Sequence, residues 1–317
     1  MKKNMEQLTF DSLFNQATEE APNMGVRIQK LTQDVTKLPI QLIIDFEKFL
    51  KYIEHHPIQI TNTKGYISSN HLPHINEQLS IKTQDETRNT QQEHYPYIHF
   101  FYLLARGGSL IKQESADFSK RYIRITERRN LFDKLTDTEK YFFLLETFWV
   151  DLNWSKFVGN NHHSIYFMLP DVISKLSDKK AGFRLQLHKQ PLLANLIFHW
   201  NYFFLYFEWF GFWHSEKDQE RMDHYQKNGY YFAKSIALTS FGKKMIPVLM
   251  ESRDFERWNI PLRRERGEAN PVPGLKLPHS EVKAGNKVNR PQLFHEAFEK
   301  LFLKRELLNA LPRLEQQ

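Results

Sequence analysis

The chain has 317 residues, 41% hydrophobic and 14% aromatic, enough to bury a sizeable core in one large or two modest domains. It has no cysteine, which excludes disulfides, thiolate catalysis, zinc ribbons and iron–sulfur ligation and predicts a cytoplasmic protein. The 44 basic and 37 acidic side chains leave a net charge of +7, which permits contact with nucleic acid without requiring it. No apolar stretch follows the basic N-terminus, so no secretory signal is expected.

Residues 1–37 are mixed and polar and predict an arm or a short helix. From Gln41 to Lys134 the apolar spacing then predicts helix, short strand, helix, helix, strand and strand, which is the order of a winged-helix domain. The segments are PIQLIIDFEKFLKYIEHHP, IQIT, SSNHLPHINEQL, YPYIHFFYLLARGG, SLIKQE and RYIRIT. Ser68 or Ser69 is positioned to cap the second helix.

A long helix is predicted over residues 138–154, with Thr136 as its cap and Glu139 completing a capping box. After it the order of elements recurs. A buried aromatic helix runs into a strand, QERMDHYQKNGY is read as a wing, and YFAKSIALTSFGKKMIPVLM as a strand followed by a helix. This repeated order of elements predicts a second winged-helix-like unit. Duplication of the first unit is one explanation of the repeat.

The fold class predicted from these patterns is α+β, mainly α, with two winged-helix-like units joined by the long helix. The predicted parts are an arm over residues 1–37, units over 38–157 and 158–260, an extended connector over 261–291, and an amphipathic helix over 292–317.

The stretch LIFHWNYFFLYFEWFGFWH, residues 196–214, has eleven aromatic side chains in nineteen positions. A membrane span, a ligand cage and a packed core are the three explanations for such a run. Polar side chains interrupt the run on different faces and a glycine breaks it, which argues against a span. Burial of a core helix and strand between packed elements explains the composition without a ligand.

The segment RPQLFHEAFEKLF, residues 290–302, follows a proline-rich connector. Together with the patterns HHPIQIT, YPYIHFFYLL and FFLLETFWVDLNW it resembles the region ahead of the β-rich domain in plasmid-borne TnpR-like transposon-passenger proteins. The β-rich domain that names this family is missing here. The resemblance implies a bacterial mobile-element setting and carries no catalytic residues to transfer.

The densest basic stretch is KRYIRITERR, residues 120–129. In a winged helix, the loop between the last two strands can lie along a phosphate backbone. The residues expected to neutralise phosphates are Lys112, Lys120, Arg121, Arg124, Arg128 and Arg129. We expect the side chains of Arg121, Arg124 and Arg128 to point outward. Those of Ile123 and Ile125 should point inward. Contact with duplex DNA, docking of a protein, and a solvated face without a partner all stay open.

The third predicted helix, YPYIHFFYLLAR, has few polar side chains with which to read base edges, so contact by backbone and wing alone is expected. A protein partner could bind through the helix at 292–317, and no membrane contact is expected.

A metal site is a weak alternative. His71, His74 and Glu77 recur at intervals of three along one predicted helix, but a polar helix face explains them equally. No cofactor is predicted. The function predicted is a non-enzymatic module that contacts nucleic-acid backbone; a protein-interaction scaffold and a metal-dependent enzyme of unrecognised type are the alternatives.

Overall fold

The fold is known from a computed structural model of the chain. It describes residues 38–83, 91–115, 120–154, 165–189, 201–225 and 231–275. The predicted arm, the predicted C-terminal helix and the connector beyond residue 275 lie outside these ranges. The described part is mainly helical with two small sheets, which confirms the predicted α+β, mainly α class. Leu38–Phe255 form one compact unit, and the described residues 256–275 belong to another.

The large unit begins with a helix, a two-residue strand and two further helices, followed by two strands and a short helix. These are α1 Ile40–His55, β1 Gln59–Ile60, α2 Leu72–Gln78, α3 Pro96–Gly107, β2 Ile111–Ser115, β3 Arg121–Ile125 and α4 Arg128–Asp133. The three strands form an antiparallel sheet in the order β1-β3-β2. The elements therefore follow one another in the predicted order.

The start of α2 differs from the prediction. The helix begins at Leu72, and His71 precedes it without a side-chain cap. Pro73 lies in its first turn, where a missing N–H costs nothing; a start at Ser69 would place the proline deeper, where it would remove a helical hydrogen bond. Ser68 instead donates its hydroxyl to Asn70 Oδ1.

The predicted long helix is present. Helix α5, Asp137–Glu146, continues directly into a π-helical turn, Thr147–Asp151. At its start, Thr136 N donates to Glu139 Oε2 at 2.7 Å and Glu139 N donates to Thr136 Oγ1 at 3.4 Å. The predicted capping box is confirmed, because a polar pair three residues apart satisfies two N–H groups that the helix leaves without carbonyls.

The second half of the large unit repeats the pattern. Its described elements are α6 Ile165–Leu176, β4 Arg184–Gln186, α7 Asn201–Trp209, β5 Trp213–Lys217, α8 Gln219–Tyr225, β6 Ala233–Leu238 and α9 Ser240–Pro247. The strands pair antiparallel in the order β4-β6-β5, which is the order of the first sheet.

The reading of QERMDHYQKNGY as a wing is corrected by α8. Asp218 Oδ1 accepts a hydrogen bond from Arg221 N at 3.1 Å, as a helix cap does, and Glu220 lies in the first turn. The segment between β5 and β6 therefore begins as a helix.

A helix-to-strand corner in the first half is fixed by a small set of hydrogen bonds. Ser109 has a positive φ of 56°, and Leu110 N donates to Ala105 O at 2.8 Å. Thr126, just after β3, donates its N–H to Leu110 O at 3.0 Å and its hydroxyl to Ser109 O at 2.7 Å. The end of β3 is thereby tied to the end of α3.

The same bonds recur in the second half. Gly211 has a φ of 80°, and Phe212 N donates to Phe207 O at 2.9 Å. Thr239 donates its N–H to Phe212 O at 3.1 Å and its hydroxyl to Gly211 O at 2.5 Å. The two halves thus share sheet order and corner, residue for residue.

The core of the large unit is aromatic and joins both halves. Phe100 of α3 stacks on Tyr206 of α7 with ring centroids 4.4 Å apart and planes 10° from parallel. Tyr141 of α5 donates its hydroxyl to Phe210 O at 2.8 Å. In the described part of the aromatic run nearly every ring is buried, so core packing is its role there. No helix among the described residues is long and apolar enough to cross a membrane.

The other unit is described over residues 256–275. Its first residues belong to the short helix α10, Phe255–Trp258, which begins at the last residue of the large unit, and α11, Ile260–Glu265, follows. Asn259 Oδ1 caps α11 by accepting from Leu262 N at 2.9 Å. Arg263, only 5% exposed, donates Nε to Glu268 Oε2 at 2.6 Å. The start of the predicted extended connector is therefore helical, and its Arg263 is buried and ion-paired.

Candidate nucleic-acid interface

The outer face of the first sheet carries two cations around one carboxylate. Lys112 of β2 lies directly opposite Arg124 of β3, and their side chains are 56% and 54% exposed. Lys112 Nζ lies 2.6 Å from Glu114 Oε1, and Arg124 Nε lies 3.7 Å from Glu114 Oε2. Together these three side chains carry one net positive charge, which faces solvent.

The two neighbouring cations favour the ionised form of Glu114. The hydrogen bond from Lys112 lowers the pKa of the Glu114 carboxyl most, and the charges of Lys112 and Arg124 lower it further against a desolvation effect. The Glu114 side chain is exposed, so solvent screens these attractions and the ion pairs are weak. A phosphate group could therefore compete with Glu114 for both cations.

Arg121 was expected to point outward from the wing. Its Nη2 instead donates to the backbone carbonyls of Thr61 and Asn62, at 3.0 and 2.5 Å. Arg121 and Arg124 are three positions apart on one strand, and strand side chains alternate, so the two cannot share a face.

Ile123 and Ile125 lie two positions apart on β3 and therefore share its inward face, but they are buried to different extents. Ile123 is 1% exposed, as expected of an inward side chain, whereas Ile125 is only partly buried. Tyr122 shares the outer face with Arg124, whose guanidinium lies 5.9 Å from the tyrosine ring centroid.

Arg128 and Arg129 do not lie on the hairpin. Both belong to α4, because the chain turns helical directly after the Thr126 corner. Arg129 Nε binds Asp133 Oδ1 at 2.7 Å, and its side chain is 11% exposed. The Arg128 guanidinium lies 5.7 Å from the Phe143 ring centroid, over the core. Lys120 is exposed at the start of β3, beside Arg121.

The structure does not bring His71, His74 and Glu77 together as a metal site. Among the residues that the structure describes, no group of three or more His, Asp or Glu side chains could hold a metal ion. His71 Nδ1 lies 3.2 Å from the Tyr52 hydroxyl instead. Burial lowers the pKa of His71, and the charges of His56 and His74 lower it further. His74 and Glu77 are exposed.

The second sheet shows which of these side chains the fold requires. From the shared corner, its register runs Trp213 opposite Leu238 and then His214 opposite Ala237. His214 and Ala237 therefore occupy the positions of Lys112 and Arg124. A sheet of the same order forms without that pair of cations.

The turn over residues 61–65 is not among the segments that the sequence predicts at the site. Gly65, with φ 67°, has a carbonyl that accepts hydrogen bonds from the Tyr102 hydroxyl and, at 3.0 Å, from Gln113 Nε2. The partners of Gly65 come from elements that are distant along the chain. Only the β1–β3 register reveals that the turn lies beside the basic strand.

No family model, curated protein or solved structure matches this chain. The interpretation of the site therefore rests on its own geometry.

Proposed function

We propose that the chain is a non-enzymatic winged-helix module that contacts the backbone of nucleic acid through the outer face of its first sheet. Lys112 and Arg124 are the central phosphate ligands in this proposal, and Lys120 extends the positive edge. Lysine and arginine bind phosphate by charge-assisted hydrogen bonds and release counterions as they do so.

The observation that carries the proposal is the internal comparison of the two sheets. Lys112 and Arg124 are replaced by His214 and Ala237 in a sheet with the same order and corner. The second sheet has one cation on this face, Arg184, which lies opposite Ala237 and pairs with Glu216, whereas the first sheet has two. Because surface ion pairs contribute little stability, the additional exposed cation of the first sheet favours a role in binding.

The third helix of the first half supports contact with backbone rather than with bases. Within α3, all of which the structure describes, Arg106 is the one residue classed as exposed. A helix that inserts into the major groove needs several polar side chains to hydrogen-bond base edges. We therefore propose binding with little dependence on sequence, in a setting that the resemblance to transposon-passenger proteins suggests is a bacterial mobile element.

The test compares two matched double variants for binding to a fluorescent random-sequence duplex. Lys112→Ala/Arg124→Ala removes two cations from the first sheet, and Arg184→Ala/Lys217→Ala removes two from the second. Arg184 is a fair match for Arg124, since it is 51% exposed and pairs across strands with Glu216 at 2.6 Å.

We expect the first variant to weaken binding about tenfold or more, and the control to bind within about twofold of the unmodified protein. Equal losses in both variants would mean that binding follows net charge alone and would contradict a contact at the first sheet. Melting temperatures of both variants confirm that they fold.

A further inference from the structure

The outer face of the first sheet has an aromatic side chain at its centre. Strand β3 is the middle strand of the sheet, and Tyr122 shares a face with Arg124 because the two lie two positions apart. Tyr122 lies opposite Gln59 of β1 on one side and opposite Glu114 of β2 on the other. Both of these neighbours and Arg124 are exposed, and Tyr122 itself is partly exposed. The tyrosine side chain therefore reaches solvent in the middle of this face.

The matching position of the second sheet is covered. Ser235 of β6 lies between Gln186 of β4 and Glu216 of β5, so a glutamine and a glutamate flank the central position in both sheets. Ser235 is buried, and its hydroxyl donates to Glu216 Oε2 at 2.7 Å and accepts from Arg184 Nη1 at 3.0 Å. A sheet of the same order therefore forms with a small, covered side chain where the first sheet has a tyrosine that reaches solvent.

Two cations lie beside the tyrosine ring. The Arg124 guanidinium is 5.9 Å from the ring centroid. Lys112 lies opposite Arg124 on β2, and Glu114, two positions further along β2, lies opposite Tyr122. Lys112 is thus a diagonal neighbour of Tyr122, a placement from which a long side chain reaches across a sheet face. The ring and both proposed phosphate ligands are therefore neighbours on one surface.

An aromatic ring beside cations suits a single strand of nucleic acid better than a duplex. In a duplex, each base is covered on both faces by its neighbours in the stack, so an aromatic side chain has no base face to contact. In a single strand, a base can stack on an aromatic ring while cations follow the backbone. Every base has a π-face, so this contact requires no hydrogen bonds to base edges.

We propose that the ligand of this face is single-stranded nucleic acid, with one base stacked on Tyr122 and the adjacent phosphates bound by Lys112 and Arg124. This inference rests on the proposed function and names the class of nucleic acid that the face prefers. Phosphate binding by the two cations is common to single strands and duplexes. The stacking contact is available to single strands alone.

Two measurements test the inference. The first compares the affinity of the unmodified protein for a fluorescent pyrimidine oligonucleotide, which does not pair with itself, and for the duplex of that strand with its complement. The second uses ring variants. Tyr122→Thr removes the ring and keeps a residue type that strands favour, whereas Tyr122→Phe keeps the ring. Phe183→Thr is the control, since Phe183 is 36% exposed and its ring centroid lies 5.8 Å from Lys179 Nζ.

We expect the unmodified protein to bind the single strand more tightly than the duplex at the same salt concentration. Tyr122→Thr should weaken binding to the single strand roughly fivefold or more and leave duplex binding within about twofold, because only the stacking contact is lost. Tyr122→Phe and Phe183→Thr should bind both forms like the unmodified protein. A loss for Tyr122→Phe as large as that for Tyr122→Thr would assign the effect to the hydroxyl and overturn the inference.

Equal or weaker affinity of the unmodified protein for the single strand would overturn the inference whether or not the variants fold. Unchanged single-strand binding by Tyr122→Thr would overturn it as well, as would equal losses for the single strand and the duplex. In each of these cases, weaker duplex binding by Lys112→Ala/Arg124→Ala would leave the proposed function standing. Failure of the unmodified protein to bind either form at low salt would remove both proposals together.

Discussion

Glu114 lies between the two cations that we assign to phosphate contact, and it competes with the phosphate for both. Its carboxylate is 46% exposed and within ion-pair distance of Lys112 and Arg124. A bound phosphate must displace these pairs or tolerate a nearby negative charge. Glu114 therefore limits affinity on the proposed surface.

Glu114→Gln should strengthen binding to duplex DNA about two- to fivefold, because the two cations then face the phosphate without an anionic competitor. Fluorescence anisotropy at fixed salt measures the change. Glu216→Gln is the matched control, since Glu216 pairs with Arg184 on the second sheet at 2.6 Å. An equal gain in both variants would indicate a general effect of net charge instead.

His99 makes a separate prediction at the scale of one residue. It is 3% exposed within α3, and Gln92 Nε2 lies 2.9 Å from its Nδ1. Burial, with a smaller contribution from the charge of Lys64, lowers the pKa of His99 to about 3. In the unfolded chain the imidazole titrates near its ordinary pKa of about 6.5.

The stabilising effect of neutral His99 is therefore complete above about pH 6.5 and is lost as the pH falls toward about 3. Between these two pH values the unfolded chain binds one more proton than the folded chain. The unfolding free energy should therefore fall by up to about 1.4 kcal/mol for each unit by which the pH is lowered. His99→Gln should flatten this slope in urea titrations, while His74→Gln, at an exposed position, should not. Parallel slopes for His99→Gln and the unmodified protein would contradict the assignment.

At the scale of elements, the two helix-to-strand corners differ in one respect. Thr126 and Thr239 both donate a hydroxyl hydrogen bond to the corner carbonyl. Thr239 Oγ1 also accepts from Gly242 N at 2.8 Å and so caps α9. One threonine thus serves the corner alone and the other serves the corner and a helix.

Thr126→Val should lower the unfolding free energy by about 1 kcal/mol for the lost hydrogen bond. Thr239→Val should cost about 1 kcal/mol more, because it also removes a helix cap. Urea denaturation of the two variants under the same conditions measures the difference. A loss for Thr239→Val no larger than that for Thr126→Val would contradict the capping role of Thr239.

At the scale of the whole molecule, local signals in the sequence predicted the elements better than the contacts between them. The capping box of Thr136 and Glu139 and the burial of the aromatic run depend on nearby residues, and the structure confirms both. Asp218 is also a local signal for the start of helix α8, but the segment was predicted to be a wing.

The candidate site was less accessible to sequence reasoning. Strand alternation alone could have separated Arg121 from Arg124, but its bond to Thr61 depends on the β1–β3 register, sixty residues away along the chain. Arg128 does not point outward from the hairpin as expected, because a helix begins at this residue. Long-range pairing sets these outcomes, and no local pattern encodes it.

The central claim is that Lys112 and Arg124 contact phosphates, and the salt dependence of duplex binding tests it most directly. The slope of log binding constant against log salt should be negative for the unmodified protein and shallower by about two for Lys112→Ala/Arg124→Ala, one unit for each lost phosphate contact. It should not change for Arg184→Ala/Lys217→Ala. An identical slope for the unmodified protein and Lys112→Ala/Arg124→Ala would contradict the claim.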